Sequence, residues 1–279
     1  MLNRKISIYI KATLILTTIL FLSGCVPEKL VKADDYPSVS PDGKWISYVF
    51  DRQNGGGNSP SGIYLVSIDG KGKKYLRGDA FPGFPIWSPN GKQIVLYNGI
   101  ATISGNEIID FREKVDNKGM VDPCWAPDGK SILFTNYGNA HLFVSDTLFK
   151  QIRELSIKGD MPKWMPDGEH ILSGAQSAVY VTDTAGLKVT KLQNSTGKMS
   201  YYPVCSPDGS LIAWCTDNDA IYLMNSDGTN QRYLTDGIHP AWTPDSKFIV
   251  YSKSDNKKDY SYFLWKIGVD GNNNVQITN

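Results

Sequence analysis

Apolar and polar residues alternate with a period of two along most of the chain, in short runs punctuated by Pro, Asp and Gly. That is the pattern of half-buried strands joined by tight turns. Six segments align without gaps: YPSVSPDGKWISY from Tyr36, FPIWSPNGKQIVL from Phe84, DPCWAPDGKSILF from Asp122, MPKWMPDGEHILS from Met161, YPVCSPDGSLIAW from Tyr202 and HPAWTPDSKFIVY from His239. Their second prolines are Pro41, Pro89, Pro127, Pro166, Pro207 and Pro244, spaced by 48, 38, 39, 41 and 37 residues. A first proline stands four places earlier in every copy, so one motif uses 12 of the 15 prolines in the chain. Five residues after the second proline comes Ile46, Ile94, Ile132, Ile171, Ile212 or Ile249. Proline presets φ at a turn corner, Asp or Asn bonds back to the backbone, and glycine takes positive φ without steric cost. Each segment therefore predicts a strand, a tight turn and a second strand. Ser246 replaces the glycine of the sixth copy and predicts a strained or differently closed turn.

A second hairpin follows in most copies. Ile63–Val66, Leu142–Val144, Val179–Val181, Ile221–Met224 and Leu264–Ile267 are apolar and β-prone, and Asp69-Gly70, Asp227-Gly228 and Asp270-Gly271 turn the chain after three of them. Four strands in about 40 residues, repeated, is the arithmetic of a propeller. The predicted fold is all-β: a six-bladed β-propeller of four-stranded antiparallel blades over residues 36–279. Each blade is expected to come from one contiguous segment, with Lys29–Ala33 available as an added edge strand. Trp87, Trp125, Trp164 and Trp242, with Val39 and Cys205 at the same position, are expected to pack between blades as core.

The N-terminus carries a different message. Arg4, Lys5 and Lys11 precede an apolar run, Ala12–Leu22, broken only by Thr13, Thr17 and Thr18. A helix needs about 20 apolar residues to cross a bilayer, so this run reads as the core of an export signal. The following Leu22-Ser23-Gly24-Cys25 resembles the lipobox of bacterial lipoproteins. The resemblance implies removal of residues 1–24, acylation of Cys25, and a tether over residues 25–35 that holds the protein on a lipid membrane. Val26 is not the aspartate that favours inner-membrane retention. The implied location is the periplasmic side of the outer membrane in a Gram-negative cell, and otherwise the outer face of the cell membrane. Loss of residues 1–24 removes three basic residues, leaving 26 basic against 28 acidic, a net charge of −2. With no basic run, nucleic acid is excluded as a partner. Cys124, Cys205 and Cys215 are expected as buried free thiols, because hairpin register places Cys215 opposite Tyr201 or Tyr202, too far from Cys205.

The residues entering each inner strand are where recognition chemistry is expected. Just before the first motif proline stand Tyr36, Phe84, Asp122, Met161, Tyr202 and His239; one place earlier stand Asp35, Gly83, Val121, Asp160, Tyr201 and Ile238. Positions that face the same environment in every repeat converge, whereas these vary. Tyr36, Phe84, Asp122, Asp160, Met161, Tyr201, Tyr202 and His239 are thus the candidate binding residues at the channel mouth. The loops 51–61 and 253–261 offer a second surface.

With these motifs in hand, the repeats resemble the TolB-like (WD40-like) β-propeller family. Similar repeats occur in the propellers of prolyl oligopeptidases, dipeptidyl peptidases and oligogalacturonate lyases. The resemblance implies a binding module that captures an envelope protein or peptide; with no amphipathic helix or heptad seam in the sequence it is expected to act as a monomer, and without catalysis or cofactor. The TolB-like pattern also includes an α/β domain ahead of the propeller, for which residues 26–35 leave no room. The hydrolase relatives need a G-x-S-x-G elbow, which does not occur here. The lyases hold a metal largely by histidines, and His141, His170 and His239 are not expected to converge. The alternative class is a carbohydrate-binding or polysaccharide-cleaving propeller, for which an aromatic mouth is equally suited.

Overall fold

The computed structural model describes residues 32–52, 60–78, 84–97, 99–104, 108–110, 120–136, 140–175, 178–193, 196–255 and 261–279. The leader, Cys25, Gly83 and residues 53–59 and 256–260 of the two long loops lie outside the described residues. Each repeat forms four antiparallel strands, and 24 strands occur among the described residues. The inner strands are Lys32–Val39, Ile86–Trp87, Met120–Trp125, Asp160–Trp164, Ser200–Cys205 and Ile238–Trp242.

The turn chemistry is as the motif requires. Gly43, Gly91, Gly129, Gly168 and Gly209 sit at φ between 68° and 76°. Each donates its N–H to the carbonyl three residues back. Ser40, Ser88, Ser206 and Thr243 brace four of the turns by accepting the N–H of Trp45, Gln93, Leu211 and Phe248 at 2.9–3.1 Å. Ser246 adopts φ 60° and donates to Thr243 at 2.9 Å, so the sixth turn closes like the others rather than differently. Its hydroxyl accepts the N–H of Asp208 at 3.1 Å, which ties it to the neighbouring turn.

The expectation of six separate four-stranded blades is corrected by the strand pairing. Four self-contained four-stranded blades form, while the strands of the first and sixth repeats share one eight-stranded sheet. The join is a parallel bridge between Ala33 and Tyr262. Lys32 reinforces it, its N–H donating to Ser261 Oγ at 3.3 Å and its Nζ to the carbonyl of Asn279. The physical reason is that the first inner strand starts at Lys32, four residues before Tyr36, and this extension reaches the edge of the last repeat.

Packing runs from repeat to repeat around the whole ring. Six apolar clusters each join two consecutive repeats, and one of them places Val250, Leu264 and Ile277 of the sixth against Ile46, Tyr48 and Phe50 of the first. The motif tryptophans are bridges in this packing. Trp87, Trp125 and Trp242 are each 7% exposed. Their indole N–H groups donate to the carbonyls of Ser38, Ile86 and Val204 in the preceding repeat at 3.0–3.2 Å. Turns stack in the same sense, with Gly91 over Pro41, Gly129 over Pro89, and Gly43 over Pro244 to complete the circle.

The cysteines follow the expected register. Cys215 pairs with Tyr201 and Cys205 with Ile212, and Cys124, Cys205 and Cys215 are buried and free. Burial pushes the thiols of Cys205 and Cys215 up to about 12. Since the thiolate is the reactive form, a thiol reagent is expected to leave all three unmodified in the native protein and to label all three in denaturant. Fast labelling of Cys215 in the native state would contradict this packing.

Candidate functional site at the channel mouth

The first motif proline builds the site. Proline has no N–H to give to a ladder, so within a sheet it is confined to edges and bulges. In the first, fourth, fifth and sixth repeats the ladder lapses between Asp35 and Ser38, Asp160 and Lys163, Tyr201 and Val204, and Ile238 and Ala241. In the third it lapses across Asp122-Pro123. The residue before the proline sits in the left-handed region: φ is 54° at Tyr36, 52° at Asp122, 54° at Met161, 51° at Tyr202 and 55° at His239. A side chain held there costs about 1 kcal/mol or more. Five repeats thus accept strain at the same position, which carries four different residue types among them.

Four of the rings meet across the hub. Tyr36 lies 3.9 Å from both Phe84 and His239 between ring centroids, and Tyr202 lies 4.4 Å from His239 and 5.9 Å from Phe84. Tyr36 to Tyr202 is 6.2 Å and Phe84 to His239 is 6.3 Å, so every pair among the four is in contact. These rings come from the first, second, fifth and sixth repeats. All four stay partly exposed, which makes them a floor rather than a sealed core. Desolvation, with Asp35 close by, holds the Tyr36 hydroxyl well above its usual range, although a hydrogen bond with Tyr202 offsets part of this.

The third and fourth repeats supply the polar half. Asp122 is raised to about 6, first by burial and then by Asp160; Lys163, the N–H of Met161 and His239 act in the opposite direction. Met161 Sδ accepts the N–H of Tyr202 at 3.3 Å, which joins the two halves. His239 Nδ1 lies 2.6 Å from Asp35 Oδ1, and the same oxygen accepts the N–H of Tyr36 at 2.7 Å. Asp219 accepts the hydroxyl of Tyr262 at 3.4 Å and is raised chiefly by burial, with His239 and Asp35 among its neighbours.

The structure therefore brings together Tyr36, Phe84, Asp122, Asp160, Met161, Tyr202 and His239. Tyr201 packs instead against the apolar cluster between the fifth and sixth repeats, its hydroxyl reaching Met199 Sδ at 3.0 Å. His141 and His170 lie apart from the mouth, each beside its own carboxylate, Glu154 and Asp167. Sequence reasoning missed Lys163 and Asp219. Lys163 did carry a signal: it is the one charged residue at a motif position otherwise held by Ser38, Ile86, Cys124, Val204 and Ala241. Asp219 carried none, since a loop aspartate beside a turn is ordinary.

Fold and site together define a β-propeller built from short four-strand repeats, with its variable side chains gathered at one end of the hub. The chain belongs to the TolB β-propeller family, whose profile, described as TolB beta propeller domain, matches residues 85–279. It is 27% identical over 240 residues to the Tol-Pal system protein TolB of Francisella tularensis subsp. tularensis, covering 75% of this chain and 54% of that protein. An uncharacterized protein of Agrobacterium fabrum is 28% identical over 182 residues, covering 56% of this chain and 57% of the relative. The chain thus spans little more than half the length of these curated relatives. The crystal structure of TolB from Acinetobacter baumannii superposes with a TM-score of 0.62 at 18% identity, covering 92% of this chain and 65% of that one. An oligogalacturonate lyase in complex with manganese superposes with a TM-score of 0.56 at 13% identity, covering 86% and 91%. At such identities these two likenesses show the fold alone.

Proposed function

We propose that this protein is a membrane-tethered binding module of the bacterial cell envelope that captures a protein or peptide at the mouth of its propeller and catalyses nothing. The supporting observation is the strained ring: five non-glycine residues in left-handed conformation aim dissimilar side chains at one point. Backbone strain of this kind clusters at functional sites. The likeness to Tol-Pal system proteins agrees with an envelope partner. The leader and Cys25 supply export and the lipid anchor, with the outer membrane as its place in a Gram-negative cell.

In vivo crosslinking followed by identification of the captured species is the direct test. Replacing Tyr36, Tyr202 and His239 together with alanine is expected to abolish capture while cooperative melting and the β-sheet circular dichroism are retained. Capture that persists at the wild-type level would overturn the reading. A glycan retained on an array by the native protein and lost in the same variant would assign the mouth to carbohydrate instead.

A further inference from the structure

We propose that the tether holds the mouth on the membrane side of the molecule, so that the mouth receives an extended segment lying at the bilayer surface, beside the partner's own membrane attachment. This rests on the reading of Cys25 as a lipid anchor and of the mouth as a peptide-binding site, and it adds the orientation that decides which peptides can arrive.

The tether leaves the ring at a fixed point. Lys32 opens the first inner strand and pairs with Arg52. Its N–H donates to Ser261 Oγ at 3.3 Å, and its Nζ donates to the carbonyl of Asn279. The same amine lies 3.1 Å from Oδ2 of the fully buried Asp34 and 5.0 Å from the ring centroid of Phe263. Ala33 beside it makes the parallel bridge to Tyr262. The first and sixth repeats thus clamp the residue from which the tether departs.

That point is at the mouth end of the blades. Arg52 closes the second strand of the first repeat and Tyr262 opens the third strand of the sixth, whereas the motif turn from Ser40 to Trp45 closes the opposite end of the first hairpin. Tyr36 stands four residues beyond Lys32 on the same strand, within about 14 Å of it. Cys25 is seven residues ahead of Lys32, a length that spans at most about 25 Å when fully extended. The strand Trp45–Arg52 is itself about 25 Å long, at roughly 3.3 Å for each of its 8 residues, and its turn lies beyond that. With the motif turns against the bilayer, Lys32 would stand at the full reach of the tether, leaving no length to pass round the body. With the mouth end toward the bilayer, the same length suffices with slack.

Orientation limits the partner. The clearance between the mouth end and the lipid is at most the reach of the tether, about 25 Å. A folded domain of about 100 residues has a radius of gyration of about 13 Å, so its diameter of roughly 30 Å or more does not fit beneath the mouth. An extended segment fits, since even two stacked sheets are only about 10 Å apart. Such a segment is delivered to the gap when it adjoins a lipid anchor or a transmembrane span of its own protein.

The lipidated mature chain, reconstituted in phosphatidylethanolamine–phosphatidylglycerol vesicles that carry an energy acceptor on their headgroups, tests the orientation. Donor dyes are placed singly through Gln151→Cys and Lys158→Cys, two exposed positions at opposite ends of the outer strand of the third repeat, away from the seam at Lys32. With the two dyes roughly 20 Å apart along that strand, transfer from the Lys158→Cys dye is expected to be about twofold or more the stronger. Equal transfer, or stronger transfer from the Gln151→Cys dye, would overturn the inference. Inserting about twenty Gly and Ser residues between Cys25 and Lys32 is expected to erase the difference, because a flexible linker of that length lets either end approach. In cells, a photo-crosslinking phenylalanine analogue at Phe84 reads the partner, and its crosslinks are expected within about a dozen residues of a lipid anchor or transmembrane span. Crosslinks confined to other parts of the captured protein would overturn this inference and leave the peptide reading standing. No crosslinked protein at all would overturn the peptide reading and the partner with it. A mature chain whose Cys25 carries no acyl group by mass spectrometry would overturn the anchor and the orientation together.

Discussion

Trp242→Ala is expected to lower folding stability by about 3–5 kcal/mol, the usual cost of truncating a buried aromatic. Trp242 is 7% exposed and packs among Ala213, Cys215, Ile221 and Leu223 of the fifth repeat and Ile249, Tyr251 and Ile267 of its own. Truncation removes the apolar surface that joins two repeats and leaves a cavity between them. It also strands the carbonyl of Val204, which the indole N–H reaches at 3.0 Å. A native state that is stable by about 5–15 kcal/mol would lose a large share of its margin. Trp242→Phe separates the contributions: it keeps most of the packing and gives up the hydrogen bond, so a loss of about 1–3 kcal/mol is expected. Leu187, 88% exposed, is the control, and its alanine variant is expected within about 0.5 kcal/mol of the parent. Denaturant unfolding measures all three. If Trp242→Ala unfolds at the same denaturant concentration as Leu187→Ala, the tryptophans are not the bridges described above.

The second large effect has the opposite sign. Burial raises the Asp122 carboxyl from its ordinary 3.8 to about 6 in the folded protein. A raised carboxyl means that folding disfavours the charged form. Below the unfolded value the group is neutral in both states and exacts no penalty. As pH rises through about 6 it ionises in the folded state too, and stability is lost. One pKa step is worth about 1.4 kcal/mol, so ionised Asp122 costs about 1–3 kcal/mol once its partial exposure is allowed for. Asp122→Asn keeps an oxygen to accept the Met161 N–H and never ionises. It is expected to stabilise the protein by about 1–3 kcal/mol above pH 7 and to have little effect below pH 4. Urea unfolding of parent and variant across that range isolates the contribution from the other titrating groups. A variant that is less stable at neutral pH, with the pH slope unchanged, would refute the assignment. A carboxylate retained at such a cost belongs to the pattern in which stability is given up at sites of function.

Much of this was legible in the chain. The twelve motif prolines, the Asp-Gly turns and the recurrent isoleucines specify their local structure through steric rules that operate within a few residues, so the hairpins and their register followed directly. Cys215 opposite Tyr201 is an example, because hairpin register is set by the turn between the strands. Tyr36, Phe84, Tyr202 and His239 meet for a different reason: in a repeat, the same offset reaches the same place. Conformation at that position was less legible. Left-handed Tyr36, Met161 or His239 runs against local preference and persists only because the bulge forced by the neighbouring proline is fixed by packing on both sides.

The sequence by itself thus determined the repeat, the turns, the strand alternation and which side chains vary, since each depends on backbone sterics within one hairpin. Tertiary structure alone decided the sharing of one eight-stranded sheet by the first and sixth repeats, because Ala33 and Tyr262 meet only when the ring is assembled. It also decided that Asp122 carries a shifted carboxyl beside Asp160 and Lys163, since the desolvation and the neighbouring charges come from strands about 40 residues away. Local rules act through bonds and turns; the electrostatics of the hub acts through space, and space is organised only by the closed fold.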